Sequence, residues 1–189
     1  MTRVTESLDF FKTEWYVEWL LKVGKRQAGL VSKKALKIGT RLHELIARDE
    51  TPNSKDTIEV RNCHKAFLAW KERYGVGTLR LLERKTDELI GLTGEADALW
   101  VETETLLDWK TSARITPNNF FQLGGYKRLG YQCKSLGIVR LDKQLGTFEY
   151  KTNTDLGLSL EQCVDAFESA FKHYQYYRHL EAKLGDNNA

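Results

Sequence analysis

With 189 residues, 41% of them hydrophobic and 29% charged, the chain is long enough to bury a core without disulfides, and its two prolines exclude a fibrous or disordered composition. Cys63, Cys133 and Cys163 stand far apart and form no CxxC pair, which argues against a zinc ribbon and a disulfide framework. No apolar run is long enough for a membrane span, and the start MTRVTESLDFFKTEW lacks the order of a signal peptide, so a cytoplasmic protein without a membrane partner is expected.

The net charge of +3 is small, but its sign is segregated. From Trp19 to His43 no acidic residue occurs, while Lys22, Lys25, Arg26, Lys33, Lys34, Lys37 and Arg41 do. From Trp109 to Leu141 the same holds, with Lys110, Arg114, Lys127, Arg128, Lys134 and Arg140. Both stretches are candidate polyanion surfaces, and solvated lysine faces are the competing explanation.

In chain order, Leu8, Phe11, Trp15, Trp19 and Leu20 recur at helical spacing and predict a helix over residues 5–23. A second helix is expected over 32–48, with Leu36, Leu42, Leu45 and Ile46 facing a core, and a third over 56–73 with Val60, Ala66, Phe67 and Trp70. Three β-rich segments follow, 78–84, 89–101 and 105–110, separated by polar turns at 85–88 and 102–104, which reads as an antiparallel meander. Pro117 suits the first turn of a helix running to about 135, with Gly137 as its stop. Strands at 138–143 and 147–152 turn about Gly146, and Ser159 with Gln162 predicts a capping box opening a last helix before a polar tail at 185–189. The expected organisation is one domain over 1–189: a helical lead to 75, a sheet over 76–152 and a C-terminal helix over 159–184.

The chemistry concentrates in Gly94-Glu95-Ala96-Asp97 on one expected strand and Leu106-Leu107-Asp108-Trp109-Lys110 on the next. Strand alternation puts Asp108 and Lys110 on one face and Leu107 and Trp109 on the other, buried one. A short connection brings Asp97 beside Asp108, and two adjacent carboxylates form an oxygen-rich pocket suited to Mg²⁺ or Mn²⁺. With Lys110 beside them, such a pocket can activate water and neutralise charge at a phosphodiester. An isolated Asp-x-Lys is more often a salt bridge on a sheet face.

GEAD followed by LLDWKTS resembles the GxxD and DxK motifs of RecB-like nucleases in the PD-(D/E)xK superfamily. Two further motifs of that family have counterparts in the same order, Gly39-Thr40-Arg41-Leu42-His43 before them and Gln122-Leu123-Gly124-Gly125-Tyr126 after. The nearest resemblance in size is to compact phage-type and mitochondrial exonucleases. It implies an α/β, restriction-endonuclease-like αβββαβ core, a central mixed sheet flanked by helices, and an N-terminal helical region. It implies a Mg²⁺- or Mn²⁺-dependent deoxyribonuclease acting on DNA, on single strands or ends, in replication, recombination or repair in a bacterial or phage-infected cell. His43, Asp97, Asp108 and the Trp109 backbone carbonyl are then expected as metal ligands, and Lys110, Gln122 and Tyr126 as catalytic partners. Glu83 is a secondary acidic candidate.

Nucleic acid is expected along Lys22, Lys25, Arg26, Lys33, Lys34, Lys37, Arg41, Arg114, Lys127 and Arg128. Bland readings stand beside these: a core-edge histidine at His43, helix packing for Gln122 and Tyr126, and a solvent-facing carboxylate at Glu83. Some relatives use four cysteines for an iron-sulfur cluster, and three cysteines here predict none. A non-catalytic nucleic-acid-binding module, or a structural subunit of a recombination complex, is the alternative function.

Overall fold

The computed structural model describes residues 1–8 and 14–186, of which the side chains of 14–16 and 185–186 are not described. Its elements are β1 (Thr2–Arg3), α1 (Val4–Ser7), α2 (Glu14–Val23), α3 (Lys25–Ala47) and α4 (Ile58–Tyr74). Then come β2 (Leu79–Leu81), β3 (Lys85–Asp87), β4 (Leu92–Gly94), β5 (Ala98–Trp100), β6 (Thr105–Lys110), α5 (Pro117–Arg128), β7 (Ser135–Leu141), β8 (Phe148–Thr152) and α6 (Leu160–Asp186). The strands form a mixed five-stranded sheet in the order β2-β5-β6-β7-β8, in which only β6 and β7 run parallel, and a three-stranded sheet β1-β4-β3. The expected helix, three strands, helix and strand of the αβββαβ order are α4, β2, β5, β6, α5 and β7.

Local chemistry explains the boundaries. Thr57 Oγ1 accepts the Val60 amide to cap α4. Ser159 and Gln162 exchange side-chain and backbone hydrogen bonds of 2.8 and 3.1 Å, the capping box read from sequence. Pro117 opens α5, whose preceding Thr116 amide donates to Asn119 Oδ1 at 2.8 Å.

Helices cover both faces of the main sheet. On one face Phe120 and Leu123 of α5 and Phe167 of α6 pack on Leu106, Leu136 and Ile138. On the other, Leu42 and Leu45 of α3 and Phe67 and Trp70 of α4 pack on Leu107, Trp109, Val139 and Leu141. Apolar side chains on alternate sides of β6 thus bury against different helices.

Several expectations need correction. Helix over 5–23 is replaced by the strand β1, the single turn α1 and the separate helix α2; Phe11 and the Trp15 side chain lie outside the described residues. The second helix starts at Lys25, and Leu36 is 71% exposed because it sits roughly 120° around the helix from Leu42; Ile38, Leu42 and Leu45 carry the buried stripe. The polar segment 85–88 holds β3, an edge strand too short and hydrophilic to show an apolar alternation. The single strand expected over 89–101 is two, β4 in the small sheet and β5 in the main one, with residues 95–97 crossing between them. The helix after Pro117 ends at Arg128, followed by Gly130 at φ +92°, a conformation that suits glycine. Gly137 is interior to β7, where a side chain would press on Leu107 and Thr105 at about 3 Å. Residues 185–186 remain helical, while 187–189 lie outside the described residues. Among the described residues no helix is long and apolar enough to cross a membrane.

Candidate active site

A cleft of about 720 Å³ opens at the end of β6, walled by α3 on one side and α5 on the other. His43, Asp97, Asp108, Trp109, Lys110, Gln122 and Tyr126 all line it. Sequence positions from 43 to 126 meet here because β5 and β6 are adjacent in the sheet and both helices pack across its end.

Asp97 lies where the chain enters β5, just after fully buried Ala96. Its Oδ2 accepts the Trp109 backbone amide at 2.6 Å, which ties it to β6. Its Oδ1 lies 3.1 Å from His43 Nδ1, so the imidazole Nδ1–H faces the carboxylate and Nε2 is left for another partner. Burial pulls the His43 pKa down, but the Asp97 hydrogen bond and charge, with Asp108 behind, more than offset this and raise it.

Asp108 and Lys110 project together, as alternation on β6 requires. Lys110 Nζ is 2.6 Å from Asp108 Oδ2 and donates to Gln122 Oε1 at 2.9 Å. Gln122 Nε2 donates to Asp108 Oδ1 at 3.1 Å and to the Tyr126 hydroxyl at 2.7 Å. One amide therefore joins ammonium, carboxylate and phenol, and this network assigns its orientation, since only the carbonyl end can accept from Lys110. Burial drives the Asp108 pKa up, against the pull of Lys110 and with a further push from Asp97. Burial and the Asp108 charge also push the Tyr126 phenol up, which keeps it protonated.

The geometry of α5 depends on Gly124 and Gly125. A Cβ at Gly124 would lie 2.2 Å from the Cys163 carbonyl oxygen of α6, so only glycine permits this approach. The close packing fixes the helix that presents Gln122 and Tyr126 one turn apart. Gly39 differs: a Cβ there would meet Thr111 Oγ1 at an ordinary 3.7 Å, so no close approach at this position demands glycine.

Asp108 Oδ2 is buried and, among the described residues, receives no hydrogen bond, Lys110 being its ion-pair contact. An anionic oxygen left in that state at a cleft fits a cation as its additional partner. Among the described residues no group of three or more His, Cys, Asp or Glu is assembled around one point. Asp97 and Asp108 are hard oxygen donors facing one cleft, with the His43 imidazole hydrogen-bonded to Asp97.

Other candidates fall elsewhere. Glu83 is exposed and does not line the cleft; its backbone carbonyl accepts the Tyr131 hydroxyl. In the first basic stretch Lys34 pairs with Glu59 at 2.6 Å, and Arg41 with Asp56 at 2.7 Å and Glu44 at 3.4 Å. In the second, Arg128 holds Glu168 and Asp87, Lys134 holds Glu104, and Arg140 holds Asp142 and Glu149. Each of these cations already faces a carboxylate. Lys127 reaches the Cys133 carbonyl, and exposed Arg114 accepts the Ser112 hydroxyl on its carbonyl. Lys22, Lys25, Arg26, Lys33 and Lys37 are exposed on α2 and α3 and, among the described residues, pair with no carboxylate.

Thr40, Glu44, Thr111, Ser112 and Lys143 also line the cleft, and sequence reasoning did not single them out. Thr111 and Ser112 directly follow Lys110, a signal of adjacency only, and Lys143 sits in a polar turn with no motif around it.

No protein-family model and no curated protein matches the chain. Among solved structures it is similar to an alkaline exonuclease from Laribacter hongkongensis, with 13% identity, 97% of this chain and 94% of that one covered, and a TM-score of 0.45. It is also similar to a phage-related exonuclease from Haemophilus somnus, with 14% identity, 72% and 80% covered, and a TM-score of 0.34.

Proposed function

We propose that the chain is a divalent-metal-dependent deoxyribonuclease of the RecB-like branch of the PD-(D/E)xK superfamily, acting on single strands or ends in DNA replication, recombination or repair. The observation that carries this reading is the network in which Gln122 joins Lys110, Asp108 and Tyr126 beside Asp97 and His43. Holding a carboxylate in a buried position beside an ammonium is costly against an apolar alternative, so such a cluster at an open cleft points to chemistry.

Asp97 and Asp108 would hold a Mg²⁺ or Mn²⁺ ion, with His43 and the Trp109 carbonyl as further donors. Such an ion supplies Lewis acidity at a phosphate oxygen and lowers the pKa of water. The protein's own part is positioning. Lys110, ion-paired with Asp108 and donating one N–H to Gln122, keeps donor capacity for a phosphate oxygen or the attacking water. Asp97 orients the imidazole of His43, leaving Nε2 for the cleft. Gln122 and the protonated Tyr126 hold Lys110 and Asp108 in register, so that charge developing at phosphorus meets a donor already in place.

The test is cleavage of labelled single- and double-stranded DNA, linear and circular, with Mg²⁺, Mn²⁺ or EDTA. Metal-dependent hydrolysis is expected. Robust cleavage in EDTA would sink the mechanism, and DNA binding without cleavage under every condition would favour a non-catalytic binding module.

A further inference from the structure

We infer that Lys143, on the turn between β7 and β8, is a second phosphate-binding cation of the cleft, holding a backbone phosphate next to the one at Asp108 and serving binding rather than bond cleavage. This rests on the nucleic-acid reading above.

Lys143 lines the same cleft as Asp97, Asp108 and Lys110, and it is half-buried. Its charge differs in one respect from its neighbours'. Lys110 is paired with Asp108, and Arg140 with Asp142 and Glu149, whereas among the described residues Lys143 pairs with no carboxylate. The adjacent Asp142 has both oxygens committed: Oδ1 accepts the Gln144 and Leu145 amides at 2.8 and 2.9 Å, and Oδ2 takes Arg140 at 3.1 Å. An ammonium that no carboxylate engages keeps its N–H groups for an incoming anion such as a phosphate oxygen.

The backbone that carries Lys143 is held from two sides. Asp142 ties the turn from within, and Asn62 Nδ2 of α4 donates to the Lys143 and Gln144 carbonyls at 3.1 and 2.9 Å. These bonds fix the backbone from which the Lys143 side chain extends into the cleft. Arg140 pairs in register with Lys110, and Lys143 is three residues further on. At about 3.3 Å per residue that places it up to about 10 Å further along the sheet than Lys110, a separation that suits a neighbouring phosphate of one strand.

The test is the binding of fluorescein-labelled DNA, single-stranded and duplex, in EDTA across a salt series, with wild type, Lys143→Gln and Lys143→Arg, alongside thermal midpoints. With midpoints unchanged, Lys143→Gln is expected to weaken binding several-fold and to lower the log–log salt slope by about 0.7 on single strands or about 0.9 on duplex, with Lys143→Arg restoring both. In Mg²⁺ the same variant should raise KM while kcat holds. An unchanged slope and affinity in Lys143→Gln overturns the inference, as does a fall in kcat at constant KM, which would put Lys143 at the reacting phosphate. A wild type that binds DNA through Lys143 yet cleaves none would overturn the nuclease reading and leave this one standing.

Discussion

The two faces of β6 carry opposite kinds of interior. On one, Trp109 joins Phe67, Trp70 and Trp100 in an aromatic cluster with ring centroids 5.3 to 6.0 Å apart and edge-on or tilted contacts. On the other, one residue away in either direction, Asp108 and Lys110 are charges drawn out of water and held by an amide. The first face gains free energy from burial and dispersion, and the second loses it. A strand can keep a costly polar cluster at its end because the opposite side of the same strand is anchored so well, which is how a folded scaffold sustains a reactive site.

Truncation on the aromatic side should break this contrast most severely. Trp70→Ala removes a fully buried side chain at the centre of the cluster and should cost about 3–5 kcal/mol in urea unfolding. Among the described residues Trp70 Nε1 has no hydrogen-bond partner, so Trp70→Phe should cost far less than the alanine variant; equal losses would show that the indole N–H matters after all.

Gly124→Ala acts at the contact between α5 and α6. Its methyl would collide with the Cys163 carbonyl, a backbone atom that cannot step aside, and overpacking of this kind costs about 1–3 kcal/mol. Because α5 must shift to admit it, Gln122 and Tyr126 move too, and loss of DNA cleavage should exceed what the stability change explains. Full activity in a folded Gly124→Ala protein would mean that α5 positions the network more loosely than its packing implies.

Charges outside the cleft should matter least. Lys34 is two-thirds exposed, and although Glu59 is held to a pKa of about 2 by the Lys34 hydrogen bond, breaking this pair with Lys34→Gln should change stability by less than about 1 kcal/mol. A larger loss would show that α3 and α4 depend on that bridge.

What was legible from sequence follows from the range of the interactions involved. Alternation along β6 separated Trp109 from Asp108 and Lys110, and one helical turn joined Gln122 to Tyr126; both are local periodicities. The motif order brought His43, Asp97 and Asp108 to one site, although Asp97 stands at a crossing between two sheets rather than within a continuous strand. The fate of the basic residues was not legible. Lys34 and Arg41 meet Glu59 and Asp56, and Arg128 meets Glu168, partners set by helix packing and not by neighbouring sequence. The small sheet escaped notice because Lys85-Thr86-Asp87 gains its strand conformation from pairing with Leu92–Gly94 and not from its own pattern.

The most direct test of the account is Asp108→Asn, assayed for turnover of labelled DNA in Mg²⁺ and Mn²⁺ and for thermal midpoint across pH. Burial raises the Asp108 pKa, so the folded state holds its proton more tightly than the unfolded chain. Its stability contribution should fall as pH rises above the ordinary carboxylate range, and Asp108→Asn should remove that slope. The account predicts a variant that is folded, has lost that pH slope, still binds DNA and cleaves none. Cleavage that survives in Asp108→Asn with either metal would contradict it.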